Sequence, residues 1–310
     1  MTKVLSFFKY RKIILSVGVL LFSISSLFAQ DLDDIKIVYE PEGKGDYIFY
    51  AVNGIAKDTH MVLIFDQEMS GWKSDAILPF QMTIRAGKVR LFKLSRVGRG
   101  AEDEVPDFKF KTHFFKGVGN PVITVVEYTI PGEDGQEVKF KGSTALDDET
   151  KLESEFDAYY AVNFYCTYIR AMRSGTVEMV KSSTGDGKPG FIKVAHKDGT
   201  IGTYKGILRG TLKAYENQDI EAGQIIGVAG FRFEDNLYFD FSVSYMKVEV
   251  DTAKDVQEWS STKYVKPLFR TAKKKKIELK PNTTYIAVYP ADIRTQEMTK
   301  AEKKKLKKSK

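Results

Sequence analysis

After residue 30, apolar and polar side chains alternate in short runs separated by Gly, Asp, Asn and Pro. "DIKIVYE", "DYIFYAVN", "HMVLIFDQ", "PFQMTIRA", "KVRLFKLSRV" and "DFKFKTHFF" each read as a β-strand of β-branched and aromatic residues. Short strands at this regular spacing predict a β-sandwich over residues 31–117. "GVGNP" at 117–121 reads as a hinge, and a second β-rich stretch covers residues 122–290. In that stretch "LYFDFSV" (237–243) sets Leu237, Phe239, Phe241 and Val243 on one face of a strand and Tyr238, Asp240 and Ser242 on the other. Only the C-terminal residues 291–310 combine helix-forming side chains with an early aspartate. The pattern predicts an all-β, mainly antiparallel protein of two domains, ending in a short helix or a disordered tail.

The first residues follow a different pattern. Lys3, Lys9, Arg11 and Lys12 precede an apolar run from Ile13 to Phe22, and a Ser-rich segment ends at Leu27, Phe28 and Ala29. About ten strongly apolar residues are too few for a spanning helix of roughly twenty, so residues 1–29 read as a signal peptide cleaved after Ala29. That places the mature protein in the periplasm or cell envelope, or outside the cell.

Charge then changes the picture less than its total suggests. Of the formal net +7, residues 1–29 hold +4 and residues 300–310 hold +6, which leaves −3 on residues 30–299. A mildly acidic body argues against nucleic acid as a partner, because such a face needs its basic residues on the fold itself. The lysine-rich tail reads as a solvated, partly disordered end able to touch an anionic envelope polymer or a membrane surface. A single cysteine, Cys166, excludes an intramolecular disulfide and reads as a small buried hydrophobe.

Four stretches of the second domain occur in a set order: "YYAVNFYCTYIRAMRSGTVEMV" (159–180), "GFIKVAHKDGTIGTYKGI" (190–207), "AYENQDIEAGQIIGVAG" (214–230) and "NLYFDFSV" (236–243). Together they resemble the lysostaphin-like, LytM-type zinc endopeptidases of peptidoglycan, whose members read "YAxDF", "AaRxGxV", "xIxHxdGxxxxYxHL", "GqxIGxxG" and "HLHFxV". The resemblance spans residues 127–290. It implies a duplicated β-sheet peptidase fold and a zinc ion held by two histidines and an aspartate, with a fourth position open for water.

Carried over one by one, those ligand and catalytic positions are altered. Asn163 stands for the aspartate of "YAxDF", Gly206 for the histidine of "YxHL", and Tyr238 and Asp240 for the histidines of "HLHF". No histidine lies between His113 and His196 to supply the first ligand, and His196 matches a non-ligand position, where a polar role beside a turn is expected. The expected cofactor is therefore none. The resemblance implies a secreted pseudo-endopeptidase that binds cell-wall peptide or glycan, or that regulates an amidase-like wall hydrolase. Tyr160, Arg173, Tyr204, Tyr238 and Asp240 are the candidate groove residues. An envelope scaffold and an active endopeptidase with a rebuilt metal site are the alternatives.

Overall fold

The computed structural model describes residues 34–43, 45–55, 57–97, 106, 108–145, 155–156, 160–183 and 190–308, so the expected signal peptide and its cleavage site lie outside the described residues. The architecture is all-β and almost wholly antiparallel, with two short helices near the C-terminus. Contacts divide the chain into two compact units. Among the described residues, the first comprises those within 34–55, 63–80 and 85–112, and the second those within 57–62, 81–84 and 113–308.

Strands β1 (Ile35–Glu42), β2 (Asp46–Asn53), β3 (Thr59–Phe65), β4 (Trp72–Ser74), β5 (Phe80–Ile84), β6 (Gly87–Arg96) and β7 (Phe110–Lys116) come first. They form a four-stranded sheet of order β1-β2-β6-β4 and a three-stranded sheet of order β5-β3-β7. Alternation sends Phe49 of β2 and Phe92 of β6 inward, where their rings stack at 4.8 Å. Phe65 and Phe110, from the other sheet, meet Phe49 edge-on at 5.8 and 5.9 Å. Each buried phenylalanine is worth roughly 2–3 kcal/mol of transfer free energy, so this ring cluster holds the two sheets face to face.

The second unit contains β8 (Glu127–Thr129), β9 (Glu137–Ala145), β10 (Glu155–Phe156), β11 (Tyr160–Tyr165), β12 (Tyr168–Arg170), β13 (Gly175–Lys181), β14 (Gly190–Ala195) and β15 (Ile201–Ile207). It continues with β16 (Asp219–Ile220), β17 (Ile225–Val228), β18 (Phe231–Phe233), β19 (Asn236–Val248), β20 (Ser260–Val265), β21 (Leu268–Arg270) and β22 (Thr283–Ile286), then α1 (Ala291–Arg294) and α2 (Lys300–Lys308). Its main sheet runs β16-β13-β14-β15-β19-β11-β9-β22, with β18 and β20 also paired to β19. Phe239, Phe241 and Val243 of β19 are buried as the alternation predicts and pack among Phe164, Tyr204 and the rest of one hydrophobic core. Leu237, by contrast, is half-buried, and Ser242, expected on the open face, is buried. The "GVGNP" stretch is tied down rather than free. Gly117 N donates to Asp58 O, and the Asn120 side chain both donates to Val248 O and accepts from Val248 N, at 2.9 Å each.

At the C-terminus the structure has short helices, the first of the two expected alternatives, and ion pairs tie their approach to the β-structure. Arg173, 1% exposed, reaches Glu297 through two nitrogens at 2.9 and 2.5 Å and Asp198 at 3.0 Å. Arg270 binds Glu127 and, at 3.0 Å, Asp292 of α1. Thr299 and Glu302 form a reciprocal capping box: Thr299 N donates to Glu302 Oε2 at 2.5 Å and Glu302 N to Thr299 Oγ1 at 3.2 Å. Two arginines drawn from the β-structure thus hold the approach to α2, which a reading of lysine content alone could not reveal.

Candidate functional site

Strand register assembles the site. Tyr165 of β11 lies opposite Tyr238 of β19, Tyr238 opposite Phe231 of β18, and Tyr165 opposite Lys139 of β9. One step along, Asn163 lies opposite Asp240, and Asp240 opposite Lys205 of β15. Because directly opposed residues share a face, the open side of the sheet carries an aromatic row, Phe231–Tyr238–Tyr165, beside a polar row, Lys205–Asp240–Asn163. The four positions carried over from the resemblance come together on this face. Asn163 Nδ2 donates to Asp240 Oδ1, Thr144 Oγ1 donates to Asn163 Oδ1 at 3.3 Å, and Tyr238 is two residues from Asp240. Gly206 joins them through Phe231, whose ring packs on Tyr238 at 5.3 Å and covers the glycine.

Gly206 is a backbone requirement. Its φ is +96°, and a Cβ there would lie 2.4 Å from Phe231 Cδ2. The space in which a side chain from position 206 would stand is filled by a phenylalanine ring.

Lys141, which the sequence reading passed over, completes the site. Its Nζ lies 3.8 Å from the centroid of the Tyr238 ring, 4.8 Å from that of Phe233 and 5.9 Å from that of Tyr165. Lys139 Nζ lies 5.8 Å from the Tyr165 ring. Such contacts stabilise an ammonium by about 0.5–1 kcal/mol each where solvent reaches them. Among the described residues, Lys139, Lys141, Lys205 and Arg232 make no ion pair, although many other cations of the protein do. Burial pushes the Asp240 carboxyl above its ordinary range, against the opposing pull of the Asn163 hydrogen bond and of Lys205 and Lys141. Burial, with Asp240 and Tyr165 nearby, likewise raises the Tyr238 phenol. The face is a floor of rings flanked by Lys139, Lys141 and Lys205, with Asp240 the carboxylate among them.

These residues do not fit zinc. The donors at the four positions are an amide whose NH2 already faces Asp240, a glycine, a phenol and one carboxylate, and Lys141 places a fixed positive charge beside them. Structural and catalytic zinc sites take three or four Cys, His, Asp or Glu ligands. Among the described residues no group of three or more such side chains is placed to hold a metal ion.

Other expected groove residues turn out to be structural. Tyr204 is fully buried, and its hydroxyl accepts from Met172 N at 2.8 Å, so it supports the core beneath the site instead of lining a groove. Tyr160 is 6% exposed, in the same core. Arg173 spends its guanidinium on Glu297, Asp198, Tyr128 and Thr200 and has no face toward a ligand. His196 flanks the turn as expected, its N donating to Thr200 O at 2.8 Å and its O accepting from Gly199 N at 3.0 Å, and its side chain is buried. Nδ1 donates to Ser174 O at 2.9 Å, Nε2 has no partner, and burial with Arg173 nearby drives its pKa down to about 3. Burial pushes the Cys166 thiol up to about 12, which suits the packing role expected of it. Of the residues the sequence reading missed, Lys139 and Lys141 carried a visible signal: the alternation of "VKFKG" puts both on one face.

No protein-family model matches the chain, and no curated protein matches it. Solved structures with a similar arrangement include the catalytic domain of a prophage-encoded M23 protein, EnpA, from Enterococcus faecalis. It is 20% identical, with 34% of this chain and 81% of that chain covered and a TM-score of 0.26. The SpoIIQ–SpoIIIAH pore-forming complex contributes a chain 14% identical, covering 39% and 85% with a TM-score of 0.30. A putative peptidase M23 from Pseudomonas aeruginosa is 11% identical, covering 59% and 87% with a TM-score of 0.26.

Proposed function

We propose that the protein is an exported, peptidase-like binding protein of the bacterial cell envelope that holds an anionic cell-wall strand without cutting it. The observation that carries this reading is the pairing of exposed-side rings with unpaired cations on one sheet face: Tyr165, Tyr238 and Phe231 with Lys139, Lys141 and Lys205. Ring faces suit the apolar faces of sugars or peptide side chains, and the ammonium groups suit carboxylates, which cell-wall peptides and acidic sugars carry. Hydrolysis is no part of the proposal. The positions that would activate water carry Gly206, Tyr238 and Asp240, and Phe231 fills the space above Gly206.

The reading is tested by incubating the protein with insoluble peptidoglycan, centrifuging, and assaying the pellet for protein and the supernatant for soluble fragments. We expect the protein in the pellet, no fragments released, and no stoichiometric zinc in the protein by elemental analysis. Tightly bound zinc together with fragment release would refute it.

A further inference from the structure

We propose a second docking surface, at the C-terminal end of the second unit, for a linear polyanion. Two lysine tracts lie on either side of α1 along the chain. Lys273–Lys276 form the tip between β21 and β22, fastened by Thr271 N to Lys274 O at 2.9 Å, and all four side chains are exposed. Lys300, Lys303, Lys304 and Lys305 are exposed on α2. Lys275 lies 3.8 Å from Asp292 of α1, and residues 295–299 join α1 to α2, so the tracts belong to one region.

The neighbouring acids do not neutralise them. Four carboxylates occur from residue 270 onward, and each is engaged by a cation from outside the two tracts. Glu278 pairs with Lys266, Asp292 with Arg270, Glu297 with Arg173, and Glu302 with Lys197 at 3.1 Å while it also caps α2. Lys275 shares Asp292 and is the only tract lysine in an ion pair among the described residues. Two buried arginines, Arg270 and Arg173, therefore consume Asp292 and Glu297, acid that would otherwise quiet the lysines. An unneutralised cationic array binds polyanions by releasing their condensed counterions.

A polymer fits this surface better than a bilayer. Helices that adsorb to membranes present bulky apolar residues on one face. In α2 the only apolar residues are Ala301 and Leu306, and the tip at 273–276 has none. A flexible chain of repeated charges can also follow two separate tracts, whereas a flat surface must meet both in one plane.

The test uses the full chain, fluorescein-labelled long-chain inorganic polyphosphate and, in a second arm, phosphatidylglycerol vesicles. Affinity is read by anisotropy and vesicle sedimentation across a salt series. We expect polyphosphate binding that weakens steeply with salt. Replacing Lys273–Lys276 by Gln, or Lys303–Lys305 by Gln, should lower affinity at least tenfold and flatten the salt slope, since fewer counterions are released on binding for each lysine removed. Peptidoglycan retention and thermal midpoint should not change, which separates this surface from the sheet-face site. Unchanged polyphosphate affinity in both variants overturns the proposal. So does vesicle binding that equals polyphosphate binding and depends on the same lysines.

Discussion

Replacing Gly206 by His introduces the side chain that the endopeptidase resemblance places there, and the structure predicts that the fold will resist it. Two costs add. A φ of +96° belongs to a region that non-glycine residues enter at about 1–2 kcal/mol. The new Cβ would also lie 2.4 Å from Phe231 Cδ2 and 2.7 Å from Cε2, so the ring must leave. Displacing it gives up the Phe231–Tyr238 contact at 5.3 Å, worth about 0.5–1.5 kcal/mol beyond the area it buries. Gly206→His should therefore lose roughly 2–4 kcal/mol, within the range of overpacked core substitutions. The two costs separate in a Phe231→Ala background, where only the backbone part, about 1–2 kcal/mol, should remain. The assay is urea unfolding followed by Trp259 fluorescence, with Trp72 replaced by Phe so that the signal reports the second unit. A Gly206→His protein that unfolds at the native midpoint, or one whose loss is identical with and without Phe231, refutes the argument that Phe231 has closed this position.

Three further outcomes follow from the same contacts. His196 has a folded pKa of about 3, below the ordinary 6.5, so the unfolded chain binds more protons between those values. Its contribution is complete above pH 6.5 and is lost as pH falls toward 3, at up to about 1.4 kcal/mol per pH unit, and His196→Leu should make the measured slope of unfolding free energy shallower by that amount. Arg173→Met strands Glu297 and Asp198 in a buried site and should cost about 3–5 kcal/mol in denaturant unfolding, while Arg173→Lys recovers only part of it because it lacks the fork. Thr299→Ala removes half of the capping box and should destabilise α2 by about 1 kcal/mol, read as faster amide exchange confined to residues 300–308.

What the sequence made legible was whatever depends on alternation. The buried Phe239, Phe241 and Val243 face of β19, the open Tyr238 and Asp240, and the all-β class all follow from a period of two. Motif order brought Asn163, Gly206, Tyr238 and Asp240 to attention, and register set them on one face. Three things stayed hidden because each depends on partners distant in the chain. Arg173 lies in a motif that reads as a groove, but Glu297, more than a hundred residues later, draws it inward. Tyr204 matches the tyrosine of the motif it resembles and is spent on the Met172 amide. Lys141 was overlooked because lysine on a strand is ordinary, and only the pairing of β9 with β11 and of β11 with β19 carries it over the Tyr238 ring. The docked C-terminal helices are of the same kind, since composition reports their charge but not the two arginines that hold them.

The central claim, that the sheet face binds a cell-wall strand, is tested most directly by retention on insoluble peptidoglycan of the Lys141→Gln/Tyr238→Ala protein against the native one. Both substitutions lie at the open face, and neither residue is in the buried core. A central ring and its cation together should be worth about 2 kcal/mol of binding, or roughly a thirtyfold rise in dissociation constant at an unchanged unfolding midpoint. Equal retention of the two proteins, or failure of the native protein to sediment at all, would contradict it.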